Sequence, residues 1–209
     1  MSPASAFFQD IWVIVHDGVY EPAEDTFLLC EHLDVGPQDR MLELGCGCGL
    51  VTITAAKRGA QVVATDNSPL AVQNTQENVE HYKLQGRVDV RLGHLFEPIR
   101  PDERFSVIAF NPPYLPGTKG EPAFDPSWSG GADGRQTTDA FLAECSRFLD
   151  AKGRLLLVQS TLTNPDRTRQ ILNTQFCECS VKAERAFFFE RLLLYEARRP
   201  RDRGRVKKL

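Results

Sequence analysis

Three glycines at alternate positions follow a short apolar segment, and this feature limits the possible folds more than any other. Residues 41–44 read Met-Leu-Glu-Leu, which predicts a short buried strand, and residues 45–49 read Gly-Cys-Gly-Cys-Gly. Glycine lets the backbone turn tightly and lets a ligand approach it closely. Residues 50–57 then have a helical pattern, so the segment predicts a strand, a tight turn that faces a ligand, and a helix.

Strands and helices are predicted to alternate along the rest of the chain. Apolar patterns indicate strands at residues 61–65, 88–92, 105–110 and 154–159, and helices at residues 69–83, 137–149 and 164–174. Two last strands, at 181–189 and 191–197, are joined by a tight turn and must be antiparallel. We therefore predict an α/β fold with a seven-stranded, mostly parallel sheet, an antiparallel last strand and helices on both faces.

The length of 209 residues suits one α/β domain, which we divide into three parts. Residues 1–39 are expected to be a lead-in that packs on the main domain, residues 40–197 form that domain, and residues 198–209 are a basic tail. No aliphatic run approaches the roughly 20 residues that a membrane helix needs. No Lys or Arg precedes Arg40, so the basic start of a signal peptide is missing. A cytoplasmic protein without membrane contact is expected.

Charge is divided unevenly along the chain. Seven of the 25 basic side chains and one of the 28 acidic ones lie in residues 198–209, so the remaining 18 and 27 give the body a net charge of −9. Sequence-independent binding of nucleic acid needs a basic face, so direct nucleic-acid binding is not expected. The tail is expected to be a solvated end, with contact to RNA or a ribosome as the alternative.

The spacing of the glycines separates two classes of cofactor. The dinucleotide fingerprint G-x-G-x-x-G would require glycine at position 50, which is Leu50. The spacing E-x-G-x-G-x-G, from Glu43 to Gly49, instead resembles the first motif of class I S-adenosylmethionine-dependent methyltransferases, which have a Rossmann-like fold. Asp66 lies 21 residues after Gly45, at the end of the second predicted strand, where a carboxylate can accept both ribose hydroxyls.

A second motif, Asn111-Pro112-Pro113-Tyr114, ends the predicted strand at 105–110. Because proline has no backbone N–H, the loop offers bare carbonyls beside the Asn111 side-chain oxygen. These acceptors suit a planar NH₂ group, and holding both N–H bonds would orient its nitrogen toward a methyl donor. Tyr114 can stack on a flat substrate group. The motif therefore predicts the catalytic residues of a methyl transfer that needs no strong base.

Together the two motifs resemble amino-methyltransferases that act on planar nitrogen, namely adenine-N6 enzymes and the HemK family of protein-glutamine methyltransferases. The segments Val19–Leu29 and Trp128–Arg135 resemble the short eukaryotic and archaeal branch of the HemK family. The resemblance covers about residues 17–197. It implies methylation of N5 of the glutamine in the Gly-Gly-Gln tip of a class 1 peptide-chain release factor, with S-adenosyl-L-methionine as methyl donor.

The resemblance also assigns the site residues. Asn111 would hold the substrate amide beside the methyl donor, and Pro112, Pro113 and Tyr114 would complete the pocket. The cofactor contacts implied are Thr26, Glu43, Gly45, Cys46, Gly47, Asp66, Asn67, His94, Leu95 and Asn111. At one of these the chain departs from the family, which usually has Asp at the position of His94 to accept from the adenine amino group. A neutral imidazole can also accept, and the Leu95 N–H can serve the adenine ring nitrogen.

A partner subunit is implied as well. The resemblance implies that the protein requires a small zinc-binding activator subunit. This subunit would extend the sheet at the edge formed by its third strand, here residues 88–92. Val88, Val90 and Leu92 share one face of that strand, which fits either partner contact or the core.

Several alternatives stay open at this point. Adenine-N6 methylation would need base flipping and usually a separate recognition domain. Lysine methylation would need a deprotonated amine, for which the proline loop offers little help, and an inactive cofactor-binding subunit is the non-enzymatic alternative.

Three weaker features receive structural interpretations. The C-x-C pairs at Cys46 and Cys177 lack the usual zinc spacing, so no metal is expected. Glu24 and Asp25 are expected only to cap a helix near Thr26. The alternative is that the eight carboxylates of residues 1–39 steer a basic substrate loop toward the site. Residues 187–189, Phe-Phe-Phe, are expected in a core strand.

Overall fold

A seven-stranded sheet forms the centre of the structure, a computed structural model that describes residues 4–117 and 129–199. The strands are β1 (Ala4–Phe8), β2 (Ile11–Val15), β3 (Arg40–Leu44), β4 (Gln61–Asp66), β5 (Val88–Leu92), β6 (Phe105–Phe110), β7 (Leu149–Ser160), β8 (Glu178–Ala186) and β9 (Arg191–Arg198). The helices are α1 (Glu24–Glu31), α2 (Leu50–Lys57), α3 (Pro69–His81), α4 (Gln136–Phe148) and α5 (Pro165–Gln175).

The strand order β5-β4-β3-β6-β7-β9-β8 confirms the predicted fold class. Neighbouring strands from β5 to β7 pair in parallel, whereas β9 is inserted between β7 and β8 and runs antiparallel to both. The carboxyl ends of β3, β4 and β6 therefore meet at one edge of the sheet. The glycine motif and the Asn-Pro-Pro-Tyr motif both follow strands that end there.

The central strands are buried because helices cover both faces of the sheet. Successive side chains of a strand point to opposite faces. Val107 and Ala109 of β6 join the apolar cluster formed with α1, α2 and the β1–β2 hairpin, whereas Ile108 and Phe110 pack with α4. Such two-sided burial explains why these strands read as continuous apolar runs in the sequence.

The lead-in contains helix α1, at the place of the helix expected near Thr26, and a β1–β2 hairpin, which the sequence patterns did not reveal. Two asparagines of α3 hold the hairpin: Asn78 Oδ1 accepts from the Ile14 N–H (2.9 Å) and Asn74 Oδ1 from the His16 N–H (2.9 Å). The Asn78 amide also donates to the Cys48 carbonyl in the glycine turn (2.9 Å). The buried Asn78 amide thus connects the β1–β2 hairpin to the glycine turn.

The prediction of a core strand at residues 187–189 was wrong. β8 ends at Ala186, and the chain turns back at once, closed by a hydrogen bond from the Phe187 N–H to the Glu190 carbonyl (2.8 Å). The three phenylalanines are 43%, 92% and 85% exposed, because the turn extends past the end of the sheet, where none of the described helices covers it.

The division into a lead-in, a main domain at 40–197 and a basic tail stays a prediction, and residues 200–209 of the tail lie outside the described residues. Within residues 4–117 and 129–199, no helix combines the length and the apolar character needed to cross a bilayer.

Candidate active site

A cavity of about 610 Å³ opens at the carboxyl edge of the sheet. This is within the usual size of small-molecule sites, and α/β folds bind ligands at this edge. All residues to which the sequence assigned a role line the cavity: Thr26, Glu43, Gly45, Cys46, Gly47, Asp66, Asn67, His94, Leu95, Asn111, Pro112, Pro113 and Tyr114. The structure therefore brings both motifs to one place, while the role of each residue stays a prediction.

The glycine turn needs glycine for two different reasons. Gly45, Gly47 and Gly49 have φ angles of 66°, 55° and 86°, a region that other residues adopt only under strain. A Cβ on Gly49 would also lie 2.9 Å from Thr75 Cγ2, whereas one on Gly47 would meet no atom within 4 Å. Gly49 therefore lets α2 and α3 approach each other, and Gly47 leaves the backbone open toward the cavity.

Asp66 is held by the backbone at the end of β4. Its Oδ2 accepts from the Gly47 N–H (3.0 Å) and its Oδ1 from the Ser68 N–H (2.9 Å). Burial raises the pKa of this carboxyl, and the backbone hydrogen bonds oppose the rise. Each oxygen keeps further acceptor capacity, which suits the two hydroxyls of a ribose.

Glu43 lies deeper, with only 4% of its surface exposed. Its Oε2 accepts from the Thr52 hydroxyl. Burial raises the pKa of Glu43 to about 8, and the hydrogen bond from Thr52 opposes that rise. A ligand with a positive charge would favour the ionised carboxylate.

Asn111 presents an unused acceptor. Its Oδ1 is buried and has no hydrogen-bond partner among the described residues. A buried acceptor without a donor costs about 1–3 kcal/mol, so this oxygen is expected to accept from a ligand. Asn111 directly follows β6, and the two prolines that come next offer no backbone N–H to compete for it.

Asp25 joins the lead-in to residues 111–114, the predicted catalytic loop, a contact that sequence reasoning missed. It lies inside α1 and is only 3% exposed, and its carboxylate accepts from the Tyr20 hydroxyl (3.0 and 2.9 Å), the Tyr114 hydroxyl (3.2 Å) and the Thr26 N–H (2.6 Å). Burial, followed by the charge of Asp25, raises the pKa of both tyrosines above the ordinary range, so both stay neutral donors. Asp25 is not the N-cap, which is Ala23; it accepts from a backbone N–H in the first turn of α1 and also holds the two tyrosines, which the expectation of a cap alone did not include.

Residues 129–135 pack against the backbone of the catalytic loop. Trp128 lies outside the described residues, but Gly130 and Gly134 pack directly on the backbone of Pro113 and Tyr114. A Cβ on Gly130 would lie 2.6 Å from the Pro113 carbonyl oxygen, and one on Gly134, where φ is 71°, would overlap the Tyr114 carbonyl oxygen. These contacts give a physical reason for the glycines of this segment.

Arg135 anchors that segment. It is 3% exposed, and its guanidinium donates to the Asn164 carbonyl (3.0 Å), the Thr168 hydroxyl (3.0 Å) and the Asp139 carboxylate (2.7 Å). Because residues 130 and 134 pack on the catalytic loop, the hydrogen bonds of Arg135 connect this loop to the start of α5.

His94 and Leu95 lie at the rim of the cavity, after β5. The His94 side chain is exposed, and the backbone N–H of His94 donates to Glu97 Oε2 (3.1 Å). Leu95 adopts a φ of 47°, which is uncommon for a residue other than glycine. The effect of His94 on adenine recognition stays a prediction.

Comparison with known proteins agrees with this geometry. The family model named Methyltransferase small domain matches residues 10–189. A Methanocaldococcus jannaschii protein named as a protein N5-glutamine methyltransferase is 36% identical over 192 residues, which are 88% of this chain and 93% of that one. The Homo sapiens methyltransferase HEMK2 is 31% identical over 170 residues, covering 75% of this chain and 78% of its own.

Solved structures share the fold. The T. thermophilus 16S rRNA methyltransferase RsmC, in complex with AdoMet and guanosine, has a TM-score of 0.71 at 20% identity and covers 95% of this chain and 50% of its own. The E. cuniculi Mtq2-Trm112 complex, responsible for methylation of the translation termination factor eRF1, has a TM-score of 0.66 at 24% identity and covers 88% of this chain and 99% of the matched one. The chain therefore belongs to the methyltransferase small domain family and, within it, to the HemK-type protein-glutamine methyltransferases, whose methyl donor is S-adenosyl-L-methionine.

Proposed function

We propose that this protein methylates the side-chain amide nitrogen (N5) of the glutamine in the Gly-Gly-Gln motif of a class 1 peptide-chain release factor. The observation that carries the proposal is the buried, unpartnered Asn111 Oδ1 at the mouth of a cavity built for a cofactor. A glutamine amide has two N–H donors and needs such an acceptor. The names of relatives support the same substrate class, including a release factor glutamine methyltransferase of Aquifex aeolicus that is 40% identical over 108 residues.

The cofactor would lie along the glycine turn. The Asp66 carboxylate would accept the ribose hydroxyls, Glu43 would lie near the positive charge of the methionine part, and His94 with Leu95 would border the adenine. When bound, S-adenosylmethionine supplies a methyl group on a positively charged sulfur. The residues around it fix its orientation and exclude water from the donor side of the cavity.

The acceptor amide is a poor nucleophile, because its nitrogen lone pair is conjugated with the carbonyl. Asn111 Oδ1 would accept one amide N–H, and a carbonyl of the proline loop would accept the other. Held in this way, the nitrogen presents one face to the methyl donor, and proximity supplies much of the rate. Once the methyl group is bonded, the amide nitrogen carries a positive charge and its proton is strongly acidic, so it passes to water and the site needs no strong base. Asp25 keeps Tyr114 oriented toward the acceptor.

Methyl transfer should be measured on the intact release factor by peptide mass spectrometry. We expect one added methyl group on the Gly-Gly-Gln glutamine with the wild-type protein. Asn111→Ala should lower kcat by roughly 100-fold or more, in line with the loss of a positioned polar group at a reacting centre, while S-adenosylmethionine still binds. Asn173→Ala, which changes an exposed asparagine of α5, is the matched control and should leave kcat unchanged.

Two results would reject this proposal. Methylation that is unaffected by Asn111→Ala would remove the role of the amide acceptor. A wild-type protein that binds the cofactor but leaves the glutamine unmodified would redirect the search to lysine and nucleic-acid substrates.

We further propose that a small partner subunit, with zinc as the resemblance implies, binds the free edge of β5. Within residues 4–117 and 129–199, this strand pairs with β4 alone. Leu92 at its end is 54% exposed, whereas Val88 is partly buried against the core. An unpaired edge with an exposed apolar side chain suits addition of a partner strand. The Mtq2-Trm112 structure, a complex of two proteins, supports this proposal.

The partner interface can be tested by co-purification with the candidate small subunit. We expect Leu92→Glu to abolish the complex, because it places a charge in an apolar contact. Val181→Glu, at a residue 36% exposed on the opposite edge strand β8, is the control and should leave the complex intact. Retention of the partner by Leu92→Glu would exclude β5 as its site.

A further inference from the structure

A ridge of exposed apolar side chains borders the acceptor side of the cavity. Its members, called the apolar ridge below, are Leu115 (38% exposed), Leu162 (58%), Phe187 (43%), Phe188 (92%) and Phe189 (85%). Most large apolar side chains of a monomeric protein are covered, and a cluster that is not covered marks a contact surface. The Phe188 and Phe189 rings pack against each other edge to face, 4.6 Å between centroids, and point away from the core.

The ridge is continuous with the catalytic loop. Leu115 directly follows Tyr114. Gly134 contacts both the Tyr114 carbonyl and the Thr163 methyl group, so Thr163 lies close to the catalytic loop. Thr163 ends the 3-10 turn that contains Leu162. The Arg191 N–H, in turn, donates to the Thr161 hydroxyl of the same turn (2.9 Å), which joins the turn to the β8–β9 hairpin.

The sheet explains why the hairpin reaches this place. Ser160, at the carboxyl end of β7, pairs with Leu192 at the start of β9, so the β8–β9 turn lies at the same edge as the cavity. The hydroxyl of Ser160 also donates to the Glu190 carboxylate.

The two arginines beside the ridge are already paired with carboxylates of the protein. Arg185 of β8 contacts Glu24 and Glu31 of α1, and Arg191 lies 3.6 Å from Glu184. Glu190 accepts from the Ser160 hydroxyl and keeps its negative charge beside the ridge. A partner at this surface would therefore be held mainly by apolar contact, with Glu190 as a source of moderate salt dependence.

We propose that the apolar ridge is the surface on which the substrate protein docks while its glutamine enters the cavity. The inference rests on the proposed function: the ridge is continuous with the loop that carries Asn111, so a protein that inserts a glutamine there can lie against it. The body of the substrate protein then meets Leu115, Leu162 and the hairpin phenylalanines. Exposed aromatic side chains are the residue type that most often dominates such contacts.

Steady-state kinetics with the intact release factor, with the small partner subunit present, test the proposal. We expect Phe188→Ser combined with Phe189→Ser to raise KM for the release factor about tenfold or more. The kcat at saturation and the Kd for S-adenosylmethionine should stay unchanged, since neither ring contacts the core. Phe7→Ser is the matched control, because the Phe7 side chain is 66% exposed but lies far from the ridge. Phe7 pairs with Trp12 in the β1–β2 hairpin, and the backbone N–H of Trp12 donates to the Tyr82 hydroxyl just after α3.

Three results would overturn the proposal. An unchanged KM in the double variant would show that the ridge does not contact the substrate. An equal rise in Phe7→Ser would show a non-specific effect of exposed phenylalanine. A wild-type dimer that the double substitution converts to a monomer in sedimentation would assign the ridge to a second copy of the chain. Absence of glutamine methylation by the wild-type protein is a separate outcome, which rejects the proposed function and this inference with it.

Discussion

Glu43 illustrates how burial changes the chemistry of one side chain. The carboxyl group is 4% exposed, and burial raises its pKa from an ordinary value of 4.5 to about 8. The folded protein therefore binds this proton more tightly than the unfolded chain does. Stability from this difference is fully present below pH 4.5 and is lost as the pH rises through 8.

The first prediction concerns Glu43→Gln. Between about pH 5 and pH 8, the free energy of unfolding of the wild type should fall relative to that of the variant, by up to about 1.4 kcal/mol per pH unit. For a domain of this length, that corresponds to roughly 3–6 °C in Tm per unit. Thermal unfolding of both proteins from pH 5 to pH 8.5 measures the difference. A difference in Tm between wild type and variant that stays constant from pH 5 to pH 8.5 would contradict a raised pKa at Glu43.

At the residue scale, the sequence was informative where residue type and spacing carry chemistry. The glycines, Asp66 and Asn111 follow strands at fixed positions, so their convergence on one cavity could be predicted. Asp25 could not be identified in this way. Its partners Tyr20 and Tyr114 come from segments 94 residues apart, and only the folded chain places both hydroxyls on one carboxylate.

At the scale of elements, the catalytic loop is a composite of two distant segments. The Asn-Pro-Pro-Tyr segment is short and cannot form its own hydrogen-bonded structure, because two of its residues lack an N–H. It is supported by the packing of Gly130 and Gly134 on its backbone. The geometry of the acceptor site therefore depends on residues that never touch the substrate.

The second prediction follows from that packing. Gly134→Ala should displace Tyr114 and lower kcat by roughly tenfold or more, because its Cβ would overlap the Tyr114 carbonyl and its φ is 71°. The change should destabilise the fold by only about 1–3 kcal/mol. Gly36→Ala is the control, since a Cβ there would meet no atom within 4 Å. Equal kcat values for the two variants, measured at saturating cofactor, would argue against support of the loop by Gly134.

Elements with strong periodicity were predicted well and those that depend on tertiary contacts were not. The predicted bounds of α2, β5 and β6 agree with the structure. The β1–β2 hairpin was missed because its backbone is satisfied by Asn74 and Asn78, which in the sequence resemble ordinary polar residues of an amphipathic helix. The end of β8 was misplaced because apolar composition alone does not distinguish a strand from an exposed turn.

At the scale of the whole molecule, the cavity joins parts of the chain that are far apart in sequence. Its wall combines the lead-in around Tyr20, the glycine turn, the end of β4 and the catalytic loop. A ligand that fills it must stabilise all of these parts together, since it binds the folded state alone.

The third prediction is the size of that effect. At about 100 times its Kd, S-adenosylmethionine should add about 2.7 kcal/mol to the free energy of unfolding, or roughly 5–10 °C in Tm. NAD should give no comparable increase, because Leu50 occupies the position of the third dinucleotide glycine. Asp66→Ala should reduce the increase by removing the acceptor for the ribose. A cofactor that leaves Tm unchanged at millimolar concentration would contradict the assignment of the cavity.

Arg135 imposes an order on the production of a working enzyme. The residues that would hold the methyl donor lie mainly between 43 and 95, so they leave the ribosome early. The Asn164 carbonyl and the Thr168 hydroxyl, which accept hydrogen bonds from Arg135, are synthesised 50 and 54 residues after Tyr114. The segments that would hold the methyl donor are thus synthesised first. Methyl transfer to a protein substrate must wait until α5 has been made and has bound Arg135 next to the catalytic loop.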